Sequence, residues 1–162
     1  MKLITTLSLA DAARMTDDAL TAARIDSMAP LTVVVLDAGG RILVVKSEDG
    51  SGILRFDIAF GKAWGSLGMG ISSRAIRDRL SARPVFQNAL AAASDGRLIP
   101  VPGGVLVKDG NGSVVGAIGI SGDTSERDEY CAITAIRAAG FDCEPAAPDP
   151  GWRASSLSDR PE

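Results

Sequence analysis

The sequence predicts one α/β domain with a largely antiparallel sheet of about five strands and helices packed on it. Two features of the chain indicate this class. Two pairs of β-branched segments are each joined by a short glycine-containing turn, at residues 37–40 and 109–112, and such turns join neighbouring antiparallel strands. Ala-rich segments with helical spacing of their apolar residues lie around these pairs, which predicts packed helices. We expect the order α-β-β-α-α-β-β-β-α.

The N-terminal half is predicted to contain the first hairpin and most of the helices. Ser8 begins a capping-box-like Ser-x-x-Asp pattern, so the first helix is expected from there to about Ile25. A nearly continuous apolar run predicts a buried strand over residues 31–37, and residues 41–46 form its partner. The next two helices are expected at residues 53–67 and 72–81, and the second of them restarts as a helical turn at Pro84 over residues 84–93.

The C-terminal half is predicted to be mainly strands. They are expected at residues 97–101, 105–108 and 113–120, followed by a helix that starts at Ser125-x-x-Asp128 and ends before Gly140. The domain is expected to cover residues 1–141. Residues 142–162 are rich in Pro, Asp and Ser and predict an extended tail, with Trp152 as a candidate residue for docking it.

Composition excludes several classes of function. The 162 residues carry a net charge of −3, which argues against nucleic acid as a partner because phosphate binding needs a basic face. No apolar run reaches the ~20 residues of a membrane span. Residues 1–7 lack a long apolar segment with a cleavage site, so we expect a cytoplasmic protein. The chain has no histidine, which excludes Ser-His-Asp and Cys-His catalysis and any zinc site that needs imidazole. We therefore expect no metal site.

Four segments resemble the GlcG/HbpS family, also called the DUF336 or PduO C-terminal-like family. They lie at residues 36–40, 59–63, 96–105 and 115–124, and the resemblance extends over residues 7–140. It implies a profilin-like sandwich, homo-oligomers often built from dimers, and a small-molecule ligand. It also implies haem as a possible cofactor. Because the chain lacks histidine, the axial donor would be Tyr130, Cys131 or a methionine.

Two basic side chains are candidates for binding an anionic ligand. Lys62 lies in a Gly-Lys-Ala step that is shared with the family, and the alternative is an ordinary solvated helix lysine. Arg55 precedes it by two turns, and a guanidinium can hold a carboxylate with two hydrogen bonds. A salt bridge to Asp57 or to a neighbouring chain is the alternative for Arg55.

Two turns are further candidates for ligand contact. Pro102, Gly103 and Gly104 form a turn that can present backbone N–H groups to an anion, or can simply join two strands. Gly122 allows close approach of a ligand to the backbone, and Thr124 could contact that ligand. Thr124 is also a common helix cap, which needs no further function.

Three side chains are candidates for proton transfer. Asp123 is a possible general base or ligand acceptor, and Glu129 is expected to face the same cleft. For both, helix capping or a favourable interaction with the helix dipole is the alternative. Cys131 lies near a helix start, where a thiolate is stabilised, although a buried structural cysteine is the more common situation.

These candidates support three hypotheses. The first is a protein that binds a small anionic organic metabolite or a tetrapyrrole. The second is a cofactor-independent isomerase, tautomerase or lyase that acts on a small carboxylated catabolic intermediate. The third is a purely structural or assembly role. We also predict a homo-oligomer built from two-fold dimers, with Trp64, Leu67 and Met69 as a second apolar face on a helix whose core-facing stripe includes Ile53.

Overall fold

The computed structural model describes residues 4–157. The first three residues of the N-terminal segment and the last five of the predicted tail lie outside this part. The helices are α1 (Leu9–Ile25), α2 (Arg55–Met69), α3 (Ser73–Leu80), α4 (Pro84–Ala93) and α5 (Ser125–Ala138). The strands are β1 (Thr32–Asp37), β2 (Ile42–Ser47), β3 (Gly104–Lys108), β4 (Val114–Ser121) and β5 (Asp142–Glu144). Within residues 4–157, none of the helices has the length and apolar character that crossing a lipid bilayer demands.

The five strands form one antiparallel sheet in the order β2-β1-β4-β3-β5. The two predicted hairpins, β1–β2 and β3–β4, are present, and β1 and β4 pair to join them. Both faces of the sheet are covered because the buried residues of β1 alternate between two separate cores. The predicted α/β class with a largely antiparallel sheet is confirmed.

Helices α1 and α5 pack on one face of the sheet, and α2 packs on the other. Val33 and Val35 contact the first pair of helices, whereas Val34 and Leu36 belong to the core beneath α2. The core beneath α2 is small because the helix turns Ala59 and other short side chains toward the sheet. A helix with small residues approaches a sheet closely, and this approach positions the site described below.

Glycine in β4 makes the close contact of α2 possible. A Cβ added at Gly119 would collide with the carbonyl oxygen of Ala59, and it would lie 3.0 Å from the Ala63 Cβ. A glycine within a strand allows close approach of either a helix or a ligand. The structure shows that the helix approaches Gly119.

The predicted helix starts are mostly confirmed. The Ser8 and Ser72 side chains accept backbone N–H groups at the starts of α1 and α3, and Pro84 lies at the start of α4. Helix α5 begins at Ser125, as predicted, but Ser125 is not its cap. Thr124 is the cap, since its hydroxyl accepts the Arg127 N–H.

Two details of the predicted architecture differ. Residues 97–101 form no strand, and the fifth strand is instead β5, at the start of the predicted tail. The segment 97–100 lies against the bare Gly61 and Gly65 of α2, so helix packing rather than sheet pairing holds it. Ile53 precedes α2 and is 94% exposed, so it is not part of the core-facing stripe. The division of the chain at residue 142 stays a prediction.

The segment that follows β5 lies against α5. Trp152 is buried and stacks on Tyr130, with ring centroids 3.6 Å apart. Arg74 donates to the Ala147 carbonyl at 2.8 Å, and Arg137 donates to the Ala146 carbonyl. Residues 146–152 thus cover one side of α5 and part of α3.

Candidate functional site

A buried ion pair joins α2 to α5 at the centre of the candidate site. The Lys62 ammonium, 2% exposed, lies 2.8 Å from the carboxylate of Asp128, 1% exposed. It donates a second hydrogen bond, also of 2.8 Å, to the Ile120 carbonyl at the end of β4. The close approach of α2 to the sheet brings these groups together. Lys62 is therefore not a solvated helix lysine, and its charge is already balanced within the chain.

Asp128 is held at the same point by a second contact. Its other oxygen accepts the backbone N–H of Asp123 at 3.2 Å. Burial raises the pKa of Asp128 to about 6, although Lys62 and this N–H favour the charged form. The sequence analysis named Asp128 only in the Ser-x-x-Asp pattern at the start of a helix, so its role as the partner of Lys62 was missed.

The 102–104 turn packs directly on Lys62. Gly103 has a φ of +115°, and a Cβ added there would lie 2.8 Å from the Lys62 Nζ. The N–H of Gly104 is donated to the Ser73 hydroxyl at 2.8 Å. Pro102, Gly103 and Gly104, the three residues of the turn, are all buried. The glycines thus make room for Lys62, and the Gly104 N–H is not available to an anion.

Arg55 is the part of this cluster that reaches solvent. Its guanidinium donates to the Ser121 hydroxyl at 3.3 Å, and its side chain is half-buried. It is close enough to Asp128 to lower the pKa of that carboxyl. The described ion pairs of the chain do not include Arg55, and the predicted pairing with Asp57 is not formed. We call Arg55, Lys62, Gly103, Ser121 and Asp128 the Lys62 cluster.

In the loop between β4 and α5, the predicted site residues Gly122, Asp123 and Thr124 all make contacts within the chain. Asp123 accepts the N–H groups of Ala29 and Thr124 at 2.8 and 2.7 Å, and it lies 3.7 Å from Arg127. A Cβ at Gly122 would collide with the Pro30 carbonyl. Thr124 caps α5. These residues hold the loop that donates an N–H to Asp128, so they position the Lys62 cluster.

Glu129 follows Asp128 on α5 but points to another part of the molecule. Its side chain is fully buried, and the nearest Arg74 nitrogen is 3.3 Å away. Neither carboxylate oxygen accepts a hydrogen bond of good geometry from the described side chains. Burial raises the pKa of Glu129 to about 7, and the charge of Arg74 offsets only part of that rise. The sequence analysis expected Glu129 to face the same cleft as Asp123. In the structure, the two side chains contact different parts of the molecule.

Cys131 lies in the core between α1 and α5. Its Sγ is 3.5 Å from the Met28 sulphur, and the side chain is inaccessible to solvent. Burial raises the pKa of the Cys131 thiol well above its usual range, and nearby carboxylates raise it further. This environment disfavours a thiolate and suits a structural cysteine. Among the described residues, no three His, Cys, Asp or Glu side chains are grouped so as to hold a metal ion.

Three clefts in the described part of the surface lie away from the Lys62 cluster. An open cleft of about 700 Å³ between α1 and β2 is lined by Arg24 and Glu48 among others. Two smaller ones, of about 170 and 150 Å³, lie on either side of Met69, between α2, α3 and α4. Ligand pockets usually have roughly 300–1,000 Å³. Arg55 and Lys62 line none of these clefts.

The fold and the site define a small antiparallel α/β sandwich with a buried Lys–Asp pair between its helices. A family model described as "Haem degrading protein HbpS-like" matches residues 7–137. The chain belongs to this HbpS-like family, which is the GlcG/HbpS family that the sequence resembles.

Individual relatives agree with this assignment. An uncharacterised 15.0 kDa protein of the dhaT-dhaS intergenic region of Citrobacter freundii is 30% identical over 133 residues, which cover 82% of this chain and 92% of that protein. The structure of a PduOC:haem complex has a TM-score of 0.75 at 26% identity, covering 83% of this chain and 96% of that one. The Klebsiella pneumoniae protein ORFY has a TM-score of 0.75 at 25% identity, with coverages of 86% and 94%. HbpS of Streptomyces reticuli, in a double mutant, has a TM-score of 0.71 at 26% identity, with coverages of 85% and 90%.

Proposed function

We propose that this protein binds a small anionic organic molecule over Arg55, at the solvent side of the Lys62 cluster. The observation that carries the proposal is the charge of the cluster. Lys62 is balanced by Asp128 at 2.8 Å, whereas Arg55 is held by a neutral hydroxyl and forms no described ion pair. With Asp128 ionised, the cluster therefore has one positive charge in excess. A half-buried guanidinium suits a carboxylate, because two parallel hydrogen bonds can form.

The relatives support a small-molecule ligand of this general kind. One of the similar structures is a haem complex, and haem carries two carboxylate side chains. A tetrapyrrole is therefore one form that the anionic organic ligand can take.

Within residues 4–157, the donors discussed above do not fit haem as an axially ligated group. Cys131 and Met28 are buried against each other, and Tyr130 is stacked under Trp152. Met69 lines small clefts, but these lie apart from Arg55. Iron ligation needs a donor that faces an open cavity of porphyrin size. A small carboxylated metabolite fits the Lys62 cluster better than haem does.

The enzymatic alternative, an isomerase, tautomerase or lyase, has less support from the geometry. A general base should have a pKa near the working pH, and the pKa of Glu129, raised to about 7, meets that condition. However, Glu129 is fully buried beneath α3 and residues 146–152. Asp123 already accepts two backbone N–H groups, and Cys131 is in the core. Binding is therefore the function that we propose.

A thermal-shift screen tests the proposal. The protein is heated with each of a set of C2–C6 mono- and dicarboxylates, and separately with haem while the Soret band is recorded. A ligand at 100 times its Kd adds about 2.7 kcal/mol to the unfolding free energy, which is a readily measured rise in Tm. We expect at least one carboxylate to give such a rise.

Matched variants locate the binding. Arg55→Gln should abolish the rise, since the amide cannot supply the charge. Arg79→Gln is the control, because Arg79 is also an arginine without a described ion pair but lies on the exposed side of α3. A carboxylate response that persists in Arg55→Gln would refute the proposed site. Stoichiometric haem loading with a shifted Soret band, and no carboxylate response, would replace the metabolite by a tetrapyrrole.

We also propose that the protein is a homo-oligomer. The family resemblance is the main support, and a closed two-fold contact is the commonest assembly of soluble proteins. Trp64, on the face of α2 that the sequence suggested for assembly, is half-buried under the Arg97 guanidinium, which lies 4.7 Å from its ring. Leu67 packs with it against the core beneath α2. The side chains of this face therefore pack mainly against residues of the same chain. The surface that contacts another copy must lie elsewhere on the molecule.

A further inference from the structure

We propose that α4 is the surface through which two copies of this chain associate, with the two α4 helices antiparallel across a two-fold axis. The inference rests on the homo-oligomer proposed above and names the contact surface, which no family property assigns. It starts from a mismatch between the composition of α4 and its environment.

Helix α4 is apolar but has no buried residue. Its sequence, Pro-Val-Phe-Gln-Asn-Ala-Leu-Ala-Ala-Ala, has no charged side chain. Val85 is 83% exposed and Phe86 is 47% exposed, and Leu90 is the most covered residue of the helix. An isolated helix of ten residues is unstable in water. An apolar helix in this position needs a covering surface, and exposed apolar patches commonly mark interaction sites.

The clefts around α4 show that the rest of the chain does not supply this cover. A cleft of about 540 Å³ runs along its outer side and is lined by Val85, Phe86 and Ala89. Smaller clefts separate its inner side from α2 and α3. Val85 and Ala89 are one turn apart, so they form a single outward stripe that another helix can contact.

The charges that flank α4 favour a second copy as the occupant. Arg83 precedes the helix and is exposed, and Asp95 follows it with its side chain 86% exposed, paired only at 3.6 Å with Arg97. Arg83 lies six residues before Ala89, and Asp95 lies six residues after it. If Ala89 faces its own copy, an antiparallel pair therefore brings each Arg83 level, along the helix axis, with the Asp95 of the other chain.

This arrangement is self-complementary in three respects. The uncharged helices bury each other, the flanking charges attract, and the two helix dipoles oppose each other. A parallel pair would instead place like charges together. The small Ala89 side chain lets the two axes approach closely. Helices that lie on membranes carry a charged polar face, which α4 lacks, and a small ligand would cover only one of its sides.

Light scattering on the full-length protein tests the proposal. At 1–100 µM, the wild type should have at least twice the single-chain mass of 16.7 kDa. Val85→Lys and Ala89→Glu should each reduce the mass at least twofold. Ile53→Lys is the matched control, because Ile53 is 94% exposed but lies outside α4, and it should leave the mass unchanged. Circular dichroism and Tm confirm that each variant is folded.

A charge exchange tests the antiparallel orientation. Arg83→Asp and Asp95→Arg should each weaken association about tenfold, and the double variant should restore most of it. In Ala89→Cys, oxidation with diamide should give a disulfide-linked dimer, whereas Gly110→Cys at an exposed hairpin turn should not. The native Cys131 and Cys143 are buried, so they contribute little background.

The outcomes separate the two proposals. A wild-type mass of one chain at every concentration would refute both the oligomer and its surface. In that case, sedimentation with phosphatidylcholine vesicles would show whether α4 meets a membrane instead. An oligomer that is unaffected by Val85→Lys and Ala89→Glu would refute the α4 surface alone. An α4 contact in which the charge exchange restores nothing would refute the antiparallel pairing.

Discussion

Replacing Glu129 with glutamine tests whether burial controls the ionisation of this side chain. The carboxyl faces Arg74 at 3.3 Å, and Arg77 and Asp149 also act on it. Burial nevertheless raises the pKa of Glu129 from an ordinary value of 4.5 to about 7. The substitution Glu129→Gln keeps the shape of the side chain and removes the proton that titrates.

The sign of the effect follows from the two pKa values. Below pH 4.5 the carboxyl is protonated in both the folded and the unfolded protein, so its ionisation does not lower the unfolding free energy. Between pH 4.5 and 7 the unfolded chain has lost a proton that the folded chain keeps, and the unfolding free energy falls as the pH rises. Above pH 7 the full loss is reached, and the interval between 4.5 and about 7 corresponds to about 3 kcal/mol.

Urea unfolding at pH 5, 6, 7 and 8 measures this effect. The unfolding free energy of the wild type minus that of Glu129→Gln should fall by about 2–3 kcal/mol across this range. Glu126→Gln, at a partly exposed position one turn earlier on α5, is the matched control variant. If the Glu129 difference stayed constant or rose with pH, then Arg74 would be holding the carboxylate ionised, and the argument from burial would be wrong.

Two further predictions concern the contact of α2 with its neighbours. Lys62→Met leaves Asp128 buried without its partner, so it should lower the unfolding free energy at pH 8 by about 3–5 kcal/mol. In a denaturant titration, adding Asp128→Asn to this variant should recover part of the loss. A double variant that is no more stable than Lys62→Met would contradict the pairing. Gly119→Ala drives a Cβ into the Ala59 carbonyl, so we expect a loss of at least about 1–3 kcal/mol. Gly110→Ala, at an open turn, is its control, and equal Tm values for the two variants would show that α2 can move away from the sheet.

The fold was predictable because its signals are local. Turn glycines at 37–40 and 109–112 specify two hairpins, and serine caps mark where helices begin. The segment 97–101 was assigned wrongly since its apolar residues serve helix packing against Gly61 and Gly65, and a short apolar run does not reveal its partner. The short strand β5 was missed because its sequence, Asp-Cys-Glu, has little strand propensity of its own. It forms because the edge of β3 is available.

The candidate site was predictable only in part. The resemblance favoured Lys62, whereas guanidinium chemistry suggested Arg55 and the backbone of the turn suggested Gly103. The structure brings these three residues together. The sequence contained one further signal, since Lys62 is one turn from Ala59 and Ser66 and so lies on a face of small residues that is typical of close packing. Such a lysine needs a buried acid, but the choice of Asp128 among 20 acidic residues depends on how α2 and α5 cross the sheet. Local patterns carry no information on that crossing.

The two consecutive acids of α5 divide the molecule into two electrostatic regions. Successive helix residues point about 100° apart, so Asp128 faces Lys62 on α2 while Glu129 faces Arg74 on α3. The Lys62 pair lies within the residues that the family model matches, 7–137. The segment that covers Glu129, residues 146–152, lies beyond them. The ionisation of Asp128 therefore changes the charge next to Arg55, where we propose that a ligand binds. Glu129 instead lies beside Arg74, which donates to the Ala147 carbonyl of the C-terminal segment. We therefore predict an effect of the raised Glu129 pKa on stability, and this pKa does not by itself indicate a catalytic acid.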